Sequence, residues 1–541
     1  MKNISILFSD SVHFHVRNFK SLFDFIERHK IYHTFVRERN KWVSAYGNYE
    51  CFFDELQPKY NELLEQDREK LYYFTVNGIN LFKVCRDEAL SYYLPIDSFR
   101  LLLSGVPDDD DLFLFMMQTD SRALLLNLAA AWSWIDFWND KLSNIKNHTY
   151  ACIFSGAQIY NRVLLEILKT HPTTPLVLEH FFTGNEYYIE EKYDPIPNNT
   201  NLKISNVYNS VNIEENGFEL ERTRIKAINK VLLAKNKNVT QPSETFLIEK
   251  KGSKTVTIIG QVVNDFSVIC TAKKYLSTID FYIELIDRLL CDDDVFVIFK
   301  SHPWERHKNN IRSALTFEKI HEYIKELPDD KSSRVFIIED FNLESLIKQS
   351  DHIVTLCSQS AIEAAFLGVK PIQLGNAFYG QKGFTYDFDS IEEFFTSLKE
   401  NKLNKYLTIE EYSNLELFLI KFLEKSLVSI HKSGILSLEK KLKLPSYISL
   451  VKPIVGEKKK INHNKVSNKS SEGNVKTIIE KKENDEIKKS IFEKTELSIL
   501  TPSCENERKY IKKIKKFKQN PKRFFIDSRY KSLNFLAKIL F

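Results

Sequence analysis

A chain of 541 residues is too long for one ordinary hydrophobic core, so two or more domains are expected. A hydrophobic content of 43% suffices for folded domains, and a net charge of only +5 excludes a uniformly basic nucleic-acid binder. The seven cysteines lack any C-x-x-C spacing, which predicts reduced thiols and a cytoplasmic location.

The N-terminal run MKNISILFS reads as a first strand, too short and too soon broken by Asp10 and Ser11 for a signal peptide. Residues 18–29 place Phe19, Leu22, Phe23 and Ile26 on one helical face. Residues 31–105 are aromatic-rich and show no clear period. A largely helical stretch follows over 112–138. Its most apolar part is interrupted by Asn127, Ser133 and Asp136, so a buried helix is expected in place of a membrane span. YACIF (150–154) is a strand, 159–168 a helix, and 175–178 a second strand ending at Glu179-His180.

Residues 240–254 are polar, hold Pro242 and Gly252, and read as a linker. Three β-branched runs then follow, at 256–259, 295–299 and 352–356. Each stops at a polar loop and feeds a helical pattern, which predicts a βαβ series with buried parallel strands. Residues 409–426 are helical and either close this domain or cross back. The expected organisation is an α/β chain with an N-terminal domain over 1–240 and a second α/β domain over 254–430. A disordered spacer over 456–490 and a basic amphipathic tail over 506–541 complete it. The spacer is rich in Lys, Asn, Ser and Glu, and 458–483 hold no aromatic residue. In the tail, Ile511, Ile514 and Phe517 alternate with lysines, which suits an anionic membrane surface; an RNA-binding arm is the other reading.

Ligands of open parallel sheets sit at the carboxyl ends of strands. Here those ends carry Gly260, Gln261, Asn264, Asp265 and Ser267, then Lys300, Ser301, His302 and Pro303, then Ser358, Gln359 and Ser360. Ser360 with Glu363 has capping-box spacing, and the helix start it opens would offer N–H groups and hydroxyls to a phosphate. His302 and Lys300 are expected at the same phosphates, His302 stabilising the departing group. Asp10, His13 and His15 follow the first strand and are expected on the acceptor side. The runs Asp108–Asp111 and Asp292–Asp294 read as solvated turns, and no metal requirement is expected.

The pieces GQVVNDFS (260–267), FKSHP (299–303), LCSQSAIEAAFLGVKP (356–371) and GNAFYGQKGFT (375–385) resemble the bacterial capsule polysaccharide biosynthesis proteins, which include retaining Kdo transferases. The Lys-x-His-Pro and serine-loop pair is also similar to bacterial sialyl- and polysialyltransferases. The resemblance implies two Rossmann-like halves in a GT-B-like arrangement and a CMP-activated Kdo or sialic acid as donor. It implies a lipid-linked or glycan acceptor and no cofactor beyond the sugar nucleotide. It also implies a peripheral place at the inner face of the cytoplasmic membrane, with a capsule assembly complex as a partner. Gly260, Gln261, Ser267, Lys300, His302, Pro303, Ser358 and Ser360 would bind the nucleotide. Glu179 and Asp265 are the carboxylates for base or nucleophile, although His180-Phe181 stand where related sequences place a glycine. A CDP-polyol phosphotransferase of teichoic-acid type and a non-catalytic assembly or export partner are the alternatives.

Overall fold

The computed structural model describes residues 4–442, apart from 145–147, 214–215, 235–241, 309–310 and 312. The spacer and the basic tail read from the sequence lie outside the described residues. The described residues all fall in one compact unit.

Among the described residues, fourteen strands run in chain order. They are β1 (Ser5–Phe8), β2 (Tyr32–Phe35), β3 (Thr75–Val76), β4 (Ile79–Asn80), β5 (Tyr150–Phe154), β6 (Thr174–His180) and β7 (Glu186–Glu191). After the linker come β8 (Lys254–Ile259), β9 (Val295–Lys300), β10 (Val335–Ile338), β11 (His352–Thr355), β12 (Ile372–Gln373), β13 (Tyr386–Asp387) and β14 (Val428–Ser429). They build two six-stranded sheets, ordered β14-β7-β6-β5-β1-β2 and β10-β9-β8-β11-β12-β13, beside the β3-β4 hairpin. The second sheet is parallel throughout. The first is parallel except for β7 and β14, which run antiparallel to their neighbours. The two α/β halves have the GT-B-like arrangement that the resemblance implied.

The second sheet follows from its strands. All six residues of β9, VFVIFK, are buried, as expected of a strand covered on both faces. Chain order reverses between β8 and β11 in this sheet and between β1 and β5 in the first. At such a switch point neighbouring loops leave in opposite directions and open a crevice.

Several elements differ from the sequence expectation. The region 31–105 holds β2, the helices Phe53–Leu64 and Leu81–Tyr93, and the small hairpin. The long helix spans Asp109–Asn144 and breaks at Asp120 (φ −157°, ψ 83°). Asp109, Asp110 and Asp111 are solvent-exposed as expected but form its first helical turn, where carboxylates face the positive end of the helix dipole. Trp134 and Trp138 on this helix are almost fully buried. Helix Ile409–Leu419 and the π-helical turn Ile420–Ser426 cross back, since β14 pairs with β7 in the first sheet. No helix among the described residues is long and apolar enough to cross a membrane.

Candidate active site

A cleft lies where the carboxyl ends of the two sheets meet. It has two lobes, of about 340 and 690 Å3. The smaller sits over the second sheet and is lined by Gly260, Gln261, Lys300, Ser301, His302, Pro303, Ser358, Ser360 and Glu363. The larger opens between the halves, against His13, Tyr46, Ser155, Asn198, Asn264 and Lys308. Glu179, His180, Asp265, Ser267, His302 and Gln359 line both lobes and so mark their boundary.

Glu179 is the penultimate residue of β6, and its Oε1 accepts the His180 N–H at 2.9 Å. Burial is the main cause that pushes its carboxyl up to about 7, against the lowering by that N–H, His13 and Ser155; the charge of Asp265 raises it further. A carboxyl placed there is half ionised near neutral pH, the condition a general base needs. Both oxygens of Asp265 are engaged. Oδ1 accepts the Ser267 N–H at 2.8 Å as a helix cap, and Oδ2 accepts from the Gln261 side-chain amide at 3.2 Å.

His302 follows β9. Burial lowers its imidazole most, and Lys308 and Lys300 push it down further, while Asp265 raises it; the result is about 4. The ring is therefore neutral at pH 7. Its Nδ1 accepts the Trp304 N–H at 3.2 Å, which assigns the proton to Nε2 and makes that nitrogen a donor. Lys300 Nζ donates to the carbonyls of Glu339 (2.5 Å) and Ser301 (3.2 Å), and burial lowers its pKa to about 8. The Ser301 hydroxyl beside it is buried without a hydrogen-bond partner.

The serine loop departs from the sequence expectation. Ser360 is not the cap of its helix. The helix runs Ser360–Phe366 with Gln359 at the cap position in a helical conformation, and no side chain caps it. Ser358 Oγ instead accepts the Ser360 N–H at 3.3 Å. The N–H of Ser358 donates to Thr355 Oγ1 at 3.2 Å and that of Ala361 to the Ser358 carbonyl at 3.2 Å. These N–H groups are thus spent within the loop and do not form an open phosphate cradle. The capping box is found at Thr408 and Glu411. Released from capping, Glu363 lines the smaller lobe, and burial pushes its carboxyl up to about 7.

Gln261 acts as a brace. It is 3% exposed, its N–H donates to the Tyr282 hydroxyl (2.7 Å), and its Oε1 accepts the Cys357 N–H (2.9 Å). It thereby ties the end of β8 to the serine loop. On the first half, Asp10 stands behind His13 and lines neither lobe. It accepts the N–H groups of Val12 (2.8 Å) and His13 (2.7 Å) and the Tyr160 hydroxyl (2.9 Å). Burial would raise its carboxyl, but the contacts with His13 and Tyr160 bring it below the ordinary value. His13 stacks on Phe154 at 4.6 Å and faces the larger lobe. His15 is exposed at the start of helix Val16–Arg28 and lies outside both lobes. Among the described residues no three His, Cys, Asp or Glu side chains converge on a metal position.

Residues 179–412 match the family model of the capsule polysaccharide biosynthesis proteins. The resemblance read from four short motifs thus extends over a continuous segment that begins at Glu179 and takes in every candidate residue of the second half. Among solved structures, the chain is similar to the β-Kdo 2,4 transferase of Thermosulfurimonas dismutans KpsC, at 19% identity and a TM-score of 0.35, over 50% of this chain and 79% of that one. It is similar to the β-Kdo 2,7 transferase of the same KpsC, at 16% and 0.32, over 57% and 89%. It is also similar to S. aureus MnaA in its co-structure with UDP, at 9% and 0.30, over 82% and 98%. Likeness at this level says nothing of the chain's substrate. No curated protein matches the chain.

The sequence reading placed Gln359 at the site but missed Glu363, Asn198 and Lys308. Glu363 carried a signal, since a carboxyl one turn into a helix at a site has two possible uses, and the capping pattern hid the second. Asn198 and Lys308 carried none, because only tertiary contact brings them to the cleft.

Proposed function

We propose that the chain is a glycosyltransferase of surface-polysaccharide synthesis that transfers an acidic sugar, Kdo or sialic acid, from its CMP-activated form to a glycan or lipid-linked acceptor. One observation carries the reading: Glu179, Asp265 and His302 stand together on the boundary between a lobe over the second sheet and a larger lobe facing the first half. A group transfer needs such a boundary, with the donor on one side and the acceptor on the other.

In this reading the nucleotide occupies the smaller lobe. The Nε2–H of His302 donates a hydrogen bond to the departing phosphate, and Lys300 and Lys308 supply positive charge without a proton transfer. Glu179 takes the proton of the acceptor hydroxyl. Asp265, already holding Ser267 and Gln261, orients the loop and sustains the raised pKa of Glu179. The match of residues 179–412 to the family model of the capsule polysaccharide biosynthesis proteins supports the surface-polysaccharide context. The basic residues and apolar side chains of 506–541 support docking on the inner face of the cytoplasmic membrane. Deleting 507–541 is then expected to abolish co-sedimentation with anionic liposomes; undiminished pelleting would remove the tail from the reading.

The decisive experiment is a thermal shift against CMP, CDP, UDP and GDP. A ligand at 100 times its Kd stabilises the folded state by about 2.7 kcal/mol. CMP is expected to give the largest shift. A preference for CDP would favour the polyol phosphotransferase, and no shift with any nucleotide would favour a non-catalytic partner.

A further inference from the structure

Asn198 belongs to the first half, in the loop after β7, yet its side chain is spent entirely on the second. Its Nδ2 donates to Thr271 Oγ1 (2.7 Å) and to the Asn376 carbonyl (3.2 Å), and its Oδ1 accepts the Phe378 N–H (2.7 Å). The residue is 8% exposed and sits at φ +50°, a left-handed conformation that asparagine tolerates better than most. A buried amide with three bonds to two separate loops fixes position more than it adds stability.

Two of these bonds, to Thr271 and to Phe378, lead on towards the cleft. The Thr271 hydroxyl donates to the Ser267 carbonyl at 2.7 Å, and the Ser267 N–H is held by Asp265. Next to Phe378, the Tyr379 hydroxyl donates to the Ser358 carbonyl at 2.8 Å. In the other direction, the Ile196 N–H donates to the Ser155 carbonyl at 2.9 Å, beside Glu179. Asn198 therefore lies on a continuous path from Glu179 to both the Asp265 loop and the serine loop.

We infer that Asn198 is a positioning residue: its amide sets the register of Glu179 in the first half against Asp265 and Ser358 in the second. The inference rests on the proposed transfer reaction for its kinetic consequence, but the staple itself has a readout that needs no substrate. In Asn198→Gly the backbone keeps its positive φ without strain while the amide is lost. In Asn198→Asp the acceptor for Phe378 stays, but the donors to Thr271 and Asn376 go.

Hydrogen exchange of the full-length protein, followed over the peptide containing Phe378, should speed up about tenfold in the glycine variant and little in the aspartate variant. The dissociation constant for CMP should change less than about threefold in both, because the nucleotide lobe lies on the second half. With a verified donor and acceptor, kcat should fall on the order of 10- to 100-fold in both variants at nearly unchanged donor KM, the loss expected of a small misplacement. Exchange at Phe378 unchanged in Asn198→Gly, or kcat within about twofold of wild type, would overturn the assignment. If the wild-type protein transfers no sugar from any nucleotide, the proposed reaction fails; the exchange result alone then decides whether the staple exists.

Discussion

Glu179 offers the sharpest test, because its burial links catalysis to stability. Its carboxyl stands at about 7 against an ordinary 4.5. At 1.36 kcal/mol per pH unit, that difference corresponds to about 3 kcal/mol between the protonated and ionised forms in the fold. The folded protein binds more protons at this site than the unfolded chain does between pH 4.5 and 7. The contribution is therefore fully present below 4.5 and is lost as pH rises through 7. Glu179→Gln is close in shape to the protonated acid and carries no charge at any pH. Its melting temperature should match wild type near pH 4.5 and exceed it increasingly up to pH 8, by no more than about 3 kcal/mol of stability. The assay is a paired thermal melt at half-unit pH steps. In parallel, wild-type kcat/KM should rise with pH along a limb near 7, and Glu179→Gln should lose both the limb and the activity. A melting difference flat between pH 5 and 8 would refute the raised carboxyl. A limb that survives in an active Glu179→Gln would give the base to another residue.

His302→Ala should abolish transfer, whereas His302→Gln, which keeps a donor, should retain part of it; equal loss in both, measured as initial rates, would mean that the imidazole acts as a cation. Ser358→Ala should cost about 0.5–1.5 kcal/mol through the lost acceptor for the Ser360 N–H. Ser360→Ala should change stability by less than about 0.5 kcal/mol and weaken CMP binding, as read by melts and calorimetry. The reverse pattern would restore Ser360 as the cap. Transfer should survive EDTA, since Lys300, Lys308 and His302 meet the phosphate charge. Full loss with EDTA, restored by magnesium or manganese, would overturn that account.

The sequence by itself determined the elements whose patterns are local. VTII, VFVIF and HIVTL are β-branched runs that must be buried on both faces, and they are the three central strands β8, β9 and β11. Their polar ends at Gly260, Lys300 and Ser358 reach the cleft for the same reason, since a parallel sheet gathers its loops at one edge. Short strands such as β10 and β13 were not legible, because two to four residues carry too little pattern. The roles of the side chains were decided by tertiary contact. Ser360 and Glu363 have the spacing of a cap, yet the chain enters the helix through Ser358, and Glu363 turns into the lobe. Gln261 has the chemistry of a ligand contact, but the Cys357 N–H and the Asp265 carboxylate consume its side-chain amide. His302 is neutral because of burial beside two lysines, and Glu179 is raised because of burial beside Asp265. Desolvation and charge depend on what surrounds a group in space, and a linear sequence holds that information only through the fold.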